Sequence, residues 1–329
     1  SCRKQRVVLG NHSSNWINVT SGVPQGSVLG PVLFIIYIND LPDCINCHSS
    51  IYADDTKMFK TIRENSYIDD TRAFQEDLDK VVIWSRKWGM ELNLKKCKTM
   101  HFGKKNRKNE YTMLDINSSR ITLSSSTSER DLGVILSTNL KSTNQTNRAA
   151  SKANSMLGLL KRTFNCRDPN LWKKLYTTYI RPQLEFAVAV WNPSLIKDIT
   201  TLEKVQRRVT KVPHLLKHLE YKERCIELKL CSLKYRRLRG DLIQQYKILN
   251  NIDIVNWHSQ PLSRPPRGGH RGMLVKEIVR NCRERSHFFC NRIVNHWNSL
   301  PDSVVFAKSL NSFKANLDKH LVSLSSDLF

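Results

Sequence analysis

The pattern of apolar residues changes near residue 140, and this change limits the possible folds of the chain more than any other feature. Before that position, short apolar runs alternate with turn-forming residues, which is typical of strands and hairpins. Strands are predicted at residues 6–10, 16–20, 51–59, 92–102, 121–123 and 132–136. The first two are expected to flank a polar turn, the segment 92–102 to be a strand pair turning at 95–97, and the last two to form one hairpin.

Apolar residues recur at helical spacing elsewhere in the chain. Val28–Ile38 is predicted to be a buried helix, because an apolar run of 11 residues falls well short of the roughly 20 that cross a bilayer. A second helix is expected around residues 74–88, with acidic residues at its N-terminal end. After residue 140 three apolar stripes predict helices, the second of which should end at Pro182. A stretch rich in Pro, Gly and Arg at Ser259–Gly272 predicts a linker before a small helical tail.

Charge restricts the partners of the chain, which has 53 Lys and Arg against 29 Asp and Glu, a formal net charge of +24. Dispersed cations bind the phosphates of nucleic acid favourably, because binding releases counterions, so nucleic acid is the first candidate partner. A membrane surface or an acidic protein would also fit the charge alone. One predicted helix carries four cations opposite its apolar stripe, and these are predicted to contact a nucleic-acid backbone: Lys204, Arg207, Arg208 and Lys211.

Location and redox state follow from the termini and the cysteines. The first residues lack the apolar core of a signal peptide, and nine cysteines cannot all pair in disulfides. We therefore expect a reducing, intracellular location and no membrane span. Cys282, His287, Cys290 and His296 could be written as a zinc set, but the aromatic residues among them favour a packed helix.

Two adjacent carboxylates stand at the apex of a predicted hairpin, in Tyr52-Ala53-Asp54-Asp55. Like charges on a tight turn repel each other, which is unfavourable unless a cation lies between them and another anion. Mg²⁺ prefers oxygen ligands and is often held by one or two carboxylates together with substrate phosphates. Taken alone, such a turn is more often a solvated surface feature than a metal site.

A second motif lies about thirty residues upstream, in Ser21-Gly22-Val23-Pro24-Gln25-Gly26-Ser27. Its glycines allow close approach of backbone to a ligand, its proline stiffens the loop, and Gln25 offers both a donor and an acceptor. Together with Tyr37-Ile38-Asn39-Asp40-Leu41-Pro42 and the Asp-Asp turn, the loop closely resembles motifs B and C of the reverse transcriptases of non-LTR (LINE-type, jockey-like) retrotransposons. Enzymes of this family have palm, fingers and thumb domains, and they copy RNA into DNA with Mg²⁺ and deoxynucleoside triphosphates.

The resemblance implies roles for individual residues. Asp54 would be a direct ligand of Mg²⁺, for which Mn²⁺ could substitute, and Asp55 a supporting ligand. Tyr52 and Ala53 would flank the incoming nucleotide and the primer end. Gly22, Pro24, Gln25 and Gly26 would line the pocket for template and nucleotide. Lys98 is the nearest match to the motif D lysine that helps to protonate the departing pyrophosphate, although a surface cation is an equal alternative.

The resemblance also implies an α+β fold and a division into three parts. Residues 1–136 would be a partial polymerase palm, an antiparallel sheet with packed helices that ends in a primer-gripping hairpin at Asp131–Ile135. Residues 137–258 would be an all-helical thumb, and 259–329 a linker with a helical C-terminal tail. RNA template, DNA primer and deoxynucleoside triphosphates would be the partners, in a cytoplasmic ribonucleoprotein and in the nucleus.

One part of the family pattern has no counterpart here. Motif A supplies a further Asp that bridges both metal ions, whereas residues 1–20 contain no Asp or Glu. We therefore expect the fingers and motif A to belong to a missing N-terminal segment of the same polyprotein, and the 329-residue chain to be inactive by itself. The alternative is a non-catalytic, basic RNA- or DNA-binding protein derived from such an element.

Overall fold

The computed structural model describes residues 3–20, 22–23, 26–255 and 272–324, with side chains as far as residue 321. These residues form two compact units, Ser1–Ser126 and Thr127–Phe329. Apart from Gly272, the predicted linker at Ser259–Gly272 lies outside the described residues. No helix among the residues described is both long and apolar enough to cross a membrane.

The first unit begins with four two-residue strands. β1 (Lys4–Gln5) pairs with β4 (Ile17–Asn18), and β2 (Val8–Leu9) pairs with β3 (His12–Ser13), both antiparallel. Gly10 closes the inner turn with a φ of 58°, a backbone conformation that glycine adopts without strain. The strands predicted at 6–10 and 16–20 are observed in shorter form, as β2 and β4, but they pair with β3 and β1 and not with each other.

The apolar run folds as helix α1 (Leu29–Ile38), but the expectation that it is buried was wrong. Leu29 is 67% exposed and Ile36 68%, and of the whole helix only Gly30 and Ile38 are buried. The physical reason is that α1 has apolar side chains on all of its faces, whereas only one face of a helix at the surface can pack against a core. The core receives Ile38 together with the half-buried Phe34 and Tyr37.

A hairpin and a long helix form the centre of the first unit. A 3₁₀ turn (Pro42–Cys44) leads to β5 (His48–Tyr52), which pairs antiparallel with β6 (Asp55–Phe59). Helix α2 (Tyr67–Lys87) follows a 3₁₀ turn (Glu64–Ser66) and has Asp69 and Asp70 in its first turn. The predicted hairpin and helix are confirmed, with β5 starting at His48 instead of Ile51.

The later strands of this unit pair differently from the prediction. β7 (Lys98–Thr99) runs parallel to β10 (Ser124–Ser125), and β8 (Thr112–Leu114) pairs antiparallel with β9 (Arg120–Thr122). The expected strand pair within 92–102 was wrong, because Leu92 and Leu94 pack against the core beside a turn. The expected pairing of 121–123 with 132–136 was also wrong. The turn at Asp115–Ser119, closed by a 2.7 Å hydrogen bond from the Ser119 N–H to Asp115 Oδ1, returns β9 to β8.

The second unit opens with the hairpin of β11 (Ser128–Asp131) and β12 (Val134–Ser137). Its two-residue turn, Leu132-Gly133, has positive φ at both positions (43° and 88°), as in the type I′ turns that match strand twist. A hairpin at Asp131–Ile135 is thus confirmed. It lies on the C-terminal side of the boundary between the two units, which falls ten residues before the domain boundary expected at 136.

Helices make up the rest of the second unit as far as residue 255. They are α3 (Thr143–Thr163), α4 (Pro169–Leu175), a π-helical turn (Tyr176–Ile180), α5 (Arg181–Glu185), α6 (Val188–Trp191), α7 (Ile196–Thr210), a 3₁₀ turn (His214–Leu216), α8 (Tyr221–Glu227) and α9 (Leu233–Leu249). The prediction that Pro182 ends the second stripe was wrong. The wider π turn precedes it, so Pro182 occupies the first turn of α5, where a missing N–H is tolerated.

The tail packs as a group of short helices around one longer one. They are α10 (Arg283–Ser286), α11 (Phe289–Arg292), α12 (Val294–Asn298), α13 (Asp302–Val305) and α14 (Leu310–Leu324). Trp297, Phe313 and Leu317 are fully buried against Leu242 and Tyr246 of α9. The small helical tail is therefore confirmed, and so is the α+β class in its coarse form.

Candidate functional site

The two adjacent aspartates lie at the tip of the β5–β6 hairpin. Tyr52 and Asp55 are the last paired residues of the two strands, so Ala53 and Asp54 alone form the turn. Ala53 has a φ of 52°, in the left-handed region that costs a residue with a Cβ about 1 kcal/mol or more. Strain of this kind occurs at functional turns and also at other turns of this chain, such as that at Ser118.

Both carboxylates are free to bind a ligand. Asp54 and Asp55 are exposed, and neither accepts a hydrogen bond or forms an ion pair with any described residue. Their oxygens suit a hard divalent cation, and Tyr52 beside them is 64% exposed. They are only a partial ligand set, since no group of three or more His, Cys, Asp or Glu side chains that could hold a metal occurs within the described ranges.

Asp77 of α2 fixes the start of this hairpin. Its carboxylate accepts hydrogen bonds from the backbone N–H groups of Asn46 (3.0 Å) and Cys47 (2.9 Å), just before β5, and from the Lys80 ammonium (2.9 Å). Burial by itself raises the pKa of Asp77. The three hydrogen bonds outweigh burial and hold that pKa below its usual range. The carboxylate is therefore ionised at neutral pH and links the hairpin to α2.

We expect Asp77→Ala to lower the free energy of unfolding by about 3–4 kcal/mol, because two N–H groups lose a charged acceptor in a buried place. Because the folded-state pKa lies below the unfolded value, the stabilisation is present at neutral pH. It is lost as the pH falls through the folded value. Urea unfolding at pH 7 and pH 3 measures both effects. Asp69→Ala, an exposed carboxylate of the same helix, is the control, and an equal loss of stability in both variants would contradict the assignment.

The segment after α1 is also held by α2. The Trp84 indole N–H donates a 2.9 Å hydrogen bond to Asp40 Oδ1, and the Tyr37 hydroxyl donates to the Trp88 carbonyl. The Tyr37 ring meets the Trp84 and Trp88 rings edge-on at centroid distances of 6.3 and 5.5 Å. The sequence between the glycine-rich loop and the hairpin is thus fixed against the same helix that positions the aspartates.

The glycine-rich loop is described only in part. Gly22 and Gly26 have positive φ values of 84° and 80°, which explains the need for glycine at both places. The Gly22 carbonyl accepts a 2.8 Å hydrogen bond from Arg3. Pro24 and Gln25, the other two residues predicted to line a nucleotide pocket, lie outside the described residues.

Lys98 lies in the short parallel pair of β7 and β10, where its ammonium donates a 2.7 Å hydrogen bond to Ser124 Oγ. It has no contact with the Asp54–Asp55 turn among the hydrogen bonds and ion pairs of the described chain. The structure therefore gives this lysine a local partner, and its role in proton transfer stays a prediction.

The four predicted backbone-binding cations form one exposed face at the end of α7. Leu202, Val205 and Val209 are buried on the opposite side of the helix, as the apolar stripe predicts. The cationic face lines a cleft of about 590 Å³, and three further basic residues line it that the sequence analysis missed: Lys217, His218 and Arg224. The many cations between Lys211 and Arg224 could have indicated that this segment belongs to the basic surface. They were missed because the sequence analysis predicts no helix at the position of α8.

A second basic run, from Lys229 to Arg239, turns out to be largely structural. Arg236 forms an ion pair with Glu185, Arg239 forms one with Asp318, and Arg237 is buried. Arg236 and Arg239 connect α9 to α5 and α14, so they are not available to phosphates in the way that the exposed α7 face is.

The residues of the possible zinc set are spread over consecutive short elements. Cys282 is exposed just before α10, and the ring of His287 contacts the Arg283 carbonyl at 3.0 Å. Cys290 belongs to α11 and His296 to α12. The segment is a packed helical one, as its aromatic residues indicate, with Phe289, Ile293 and Trp297 in the interior.

We expect Ala53→Gly to raise the free energy of unfolding by up to about 1 kcal/mol, because glycine reaches a φ of 52° without a Cβ clash. The midpoint of urea unfolding measures the change. Ala149→Gly, in the buried face of α3, is the opposite control and should cost about 1 kcal/mol. Destabilisation by both substitutions would show that the turn at Ala53 is not strained.

Part of the chain is similar in sequence to known proteins. Residues 2–146 match the family model described as reverse transcriptase (RNA-dependent DNA polymerase). The RNA-directed DNA polymerase from mobile element jockey of Drosophila melanogaster is 32% identical over 30% of this chain and 12% of its own length. Its namesake from Drosophila funebris is 28% identical over 69% of the chain and 25% of its own length.

A third relative is the probable RNA-directed DNA polymerase from transposon X-element of Drosophila melanogaster, 23% identical over 59% of the chain and 22% of its own length. No solved structure matches the chain. The chain spans a quarter or less of the length of these curated relatives. Residues 2–146, somewhat under half of the chain, are therefore similar to the reverse transcriptase family, and the relatives named here are RNA-directed DNA polymerases of mobile elements.

Proposed function

We propose that this chain is the catalytic-centre and thumb portion of an RNA-directed DNA polymerase of a non-LTR retrotransposon. The observation that carries the proposal is the pair of exposed, unpaired carboxylates at a strained hairpin tip, inside the segment that matches the reverse transcriptase family. RNA template, DNA primer and deoxynucleoside triphosphates are the proposed substrates. A cytoplasmic ribonucleoprotein and the nucleus are the proposed locations.

The hairpin is proposed to hold the catalytic metal. Asp54, in the turn, is the direct ligand, and Asp55, at the start of β6, is the supporting one. Bound Mg²⁺ (or Mn²⁺) would activate the primer 3′-hydroxyl and stabilise the charge on the leaving pyrophosphate. The chain itself contributes orientation, because Asp77 fixes the start of β5 and the pairing of Tyr52 with Asp55 fixes its end.

The neighbouring residues are proposed to shape the substrate sites. Tyr52 and Ala53 flank the nucleotide and the primer end, and the loop from Gly22 to Gly26 lines the pocket for template and nucleotide. Lys98 is proposed as the proton donor to pyrophosphate. Residues 1–136 are proposed to be the partial palm, 137–258 the thumb, and 259–329 the linker and tail.

Two carboxylates are fewer than two-metal catalysis needs. A polypeptide of these 329 residues has no Asp or Glu in its first twenty residues, so it lacks a motif A aspartate before the glycine-rich loop. We propose that this aspartate comes from a further segment of the same polyprotein. Primer extension on an RNA template tests the proposal when that aspartate is supplied by fusing the preceding part of the jockey polymerase to the chain.

The second candidate function is a basic RNA- or DNA-binding protein without catalysis. The observation that favours it is the cation-lined cleft of the second unit, which contains neither of the two aspartates. Primer extension by the fusion, dependent on Asp54, supports the polymerase. Tight nucleic-acid binding without any extension supports the binding protein.

A further inference from the structure

The cleft between the end of α7 and α8 has the character of a defined anion site. We call it the α7–α8 cleft. It holds about 590 Å³ and is lined by six permanently cationic side chains: Lys204, Arg207, Arg208, Lys211, Lys217 and Arg224. Its one carboxylate, Glu220, accepts the backbone N–H of Glu223 and caps α8, so it is already engaged. The cleft therefore carries a large excess of positive charge.

Arg224 is the unusual member of this group. It is only 3% exposed, and its partners are the Thr210 hydroxyl, 3.2 Å from Nε, and the Leu219 carbonyl. Both partners are neutral, and Arg224 has no ion pair with a carboxylate in the described part of the chain. A buried cation without a counter-ion is costly, because no ion pair offsets its loss of hydration. An anion bound in the cleft would supply the missing charge.

Arg207 lies beside the same aromatic ring as Arg224. The Arg207 guanidinium lies 4.8 Å from the centroid of the Tyr221 ring, and that of Arg224 lies 5.8 Å from it. The Tyr221 hydroxyl donates to Glu203, which fixes the ring. Planar guanidinium groups held in place match the oxygens of a phosphate better than mobile lysines do.

The exposed cations of α7 favour a nucleic-acid strand over a free anion as the ligand of the cleft. From Lys204 to Lys211 the helix advances roughly 10 Å along its axis, and one strand of a duplex passes about three phosphates in that length. Arg208 also donates a 3.0 Å hydrogen bond to Asn154 of α3. Asn154 lines a second cleft, of about 720 Å³ between α3 and α7, whose lining contains small polar residues and no carboxylate. Arg208 therefore links the linings of the two clefts.

We propose that the α7–α8 cleft binds one backbone phosphate of a nucleic-acid strand, with buried Arg224 as the anchor and the exposed α7 cations on the adjacent phosphates. The proposal rests on the proposed function, because it concerns the nucleic acid that such a polymerase holds. It adds a defined phosphate site to a general basic surface.

The test measures binding of the full chain to a fluorescein-labelled 20-base-pair RNA–DNA hybrid by anisotropy, at several salt concentrations. Arg224→Gln should weaken binding about tenfold at 0.1 M salt and reduce the slope of log K against log salt by about 0.7–0.9, the value of one phosphate contact. Arg224→Lys, which keeps the charge but not the planar guanidinium, should restore the salt slope and only part of the affinity. Lys152→Gln, an exposed cation of α3 outside both clefts, should change binding less than twofold.

An unchanged slope in a folded Arg224→Gln protein would overturn the proposal. Should that variant not fold, the exposed rim variant Lys204→Gln/Lys211→Gln decides, since the proposal requires its slope to fall by about 1.5. A second arm follows the melting temperature in inorganic phosphate at constant ionic strength. If inorganic phosphate raises the melting temperature of the unsubstituted chain and not that of Arg224→Gln, while both proteins bind the hybrid equally well, the cleft binds a free anion. That result would refute the proposal that the cleft binds a nucleic-acid strand.

Failure of the polymerase proposal is visible separately. Primer extension by the jockey fusion depends on the hairpin aspartates, whereas the salt slope depends on the cleft. If the fusion does not extend a primer but Arg224→Gln still lowers the salt slope, only the polymerase proposal fails. If the fusion is active but Arg224→Gln leaves the salt slope unchanged, only the phosphate-site proposal fails.

Discussion

Asp54→Ala is expected to abolish primer extension by any longer polypeptide that supplies a motif A aspartate to this chain. Asp54 is the turn residue of the β5–β6 hairpin and has no partner among the described residues, so the substitution removes a metal ligand without breaking an internal contact. Loss of such a ligand costs several kcal/mol of transition-state stabilisation, and each 1.36 kcal/mol is a factor of ten in rate. We therefore expect a fall in kcat of at least about a thousandfold.

Two comparisons make this prediction specific. Asp55→Ala should have a smaller effect on kcat, because Asp55 is the supporting ligand, and Asp69→Ala, an exposed carboxylate of α2, should stay within about twofold. The polypeptide of these 329 residues alone should give no extension with Mg²⁺ or Mn²⁺, since two carboxylates leave the metal ions held mainly by water and substrate. Extension by that polypeptide alone would mean that another residue of the chain completes the ligand set.

Stability measurements must accompany the kinetics. The hairpin owes its position to Asp77 and to its own strand pairing, so the free energy of unfolding should be the same for the Asp54→Ala variant and the unsubstituted protein within about 0.5 kcal/mol. A loss of activity together with unfolding would not test metal binding. An equal loss of activity in Asp54→Ala and Asp69→Ala would show that the turn has no special role.

The sequence predicted those elements best whose signals are local. Adjacent carboxylates between two β-rich runs predict a hairpin with Asp54 in its turn, and an apolar stripe such as Leu202, Val205 and Val209 predicts a helix with a known buried face. Both are observed. These predictions succeed because the spacing of apolar residues depends on the geometry of the strand or helix itself, whichever element it packs against.

Pairing and burial were predicted less well because they depend on distant residues. The partner of β9 is β8, whose three residues, Thr112–Leu114, carry almost no strand signal of their own. The apolar α1 gives no indication of which of its faces meets a core, and Leu29 and Ile36 are exposed. A π turn precedes Pro182 and accommodates it, and the spacing of apolar residues does not predict that turn.

The candidate nucleic-acid surface shows the same limit. Helical spacing placed Lys204, Arg207, Arg208 and Lys211 on one exposed face. It could not show that Arg224, thirteen residues after Lys211, turns back into the same cleft, nor that Arg236 and Arg239 are engaged by Glu185 and Asp318. Cations that bind phosphate and cations that hold helices together look alike in sequence, and only their partners distinguish them.

Reversing the four α7 cations, Lys204, Arg207, Arg208 and Lys211, to Glu should weaken binding to an RNA–DNA hybrid by about a hundredfold or more at 0.1 M salt. The slope of log K against log salt should fall by about three, since each phosphate contact contributes roughly 0.7–0.9. Anisotropy measured across a range of salt concentrations gives both quantities. The loss should be similar for hybrids of different sequence, because backbone contacts carry no base information.

A matched control separates this surface from net charge. Lys152, Lys161, Lys174 and Lys197 are four exposed lysines of the same unit, and none of them lines either cleft. Reversing them changes the net charge by the same amount and should leave the salt slope within about one unit. Cations in the last turn of α7 also favour the helix dipole, so urea unfolding must show that both quadruple variants are folded. Equal changes of slope in the two would mean that the chain attracts nucleic acid through its overall charge and that the α7 face makes no specific contact.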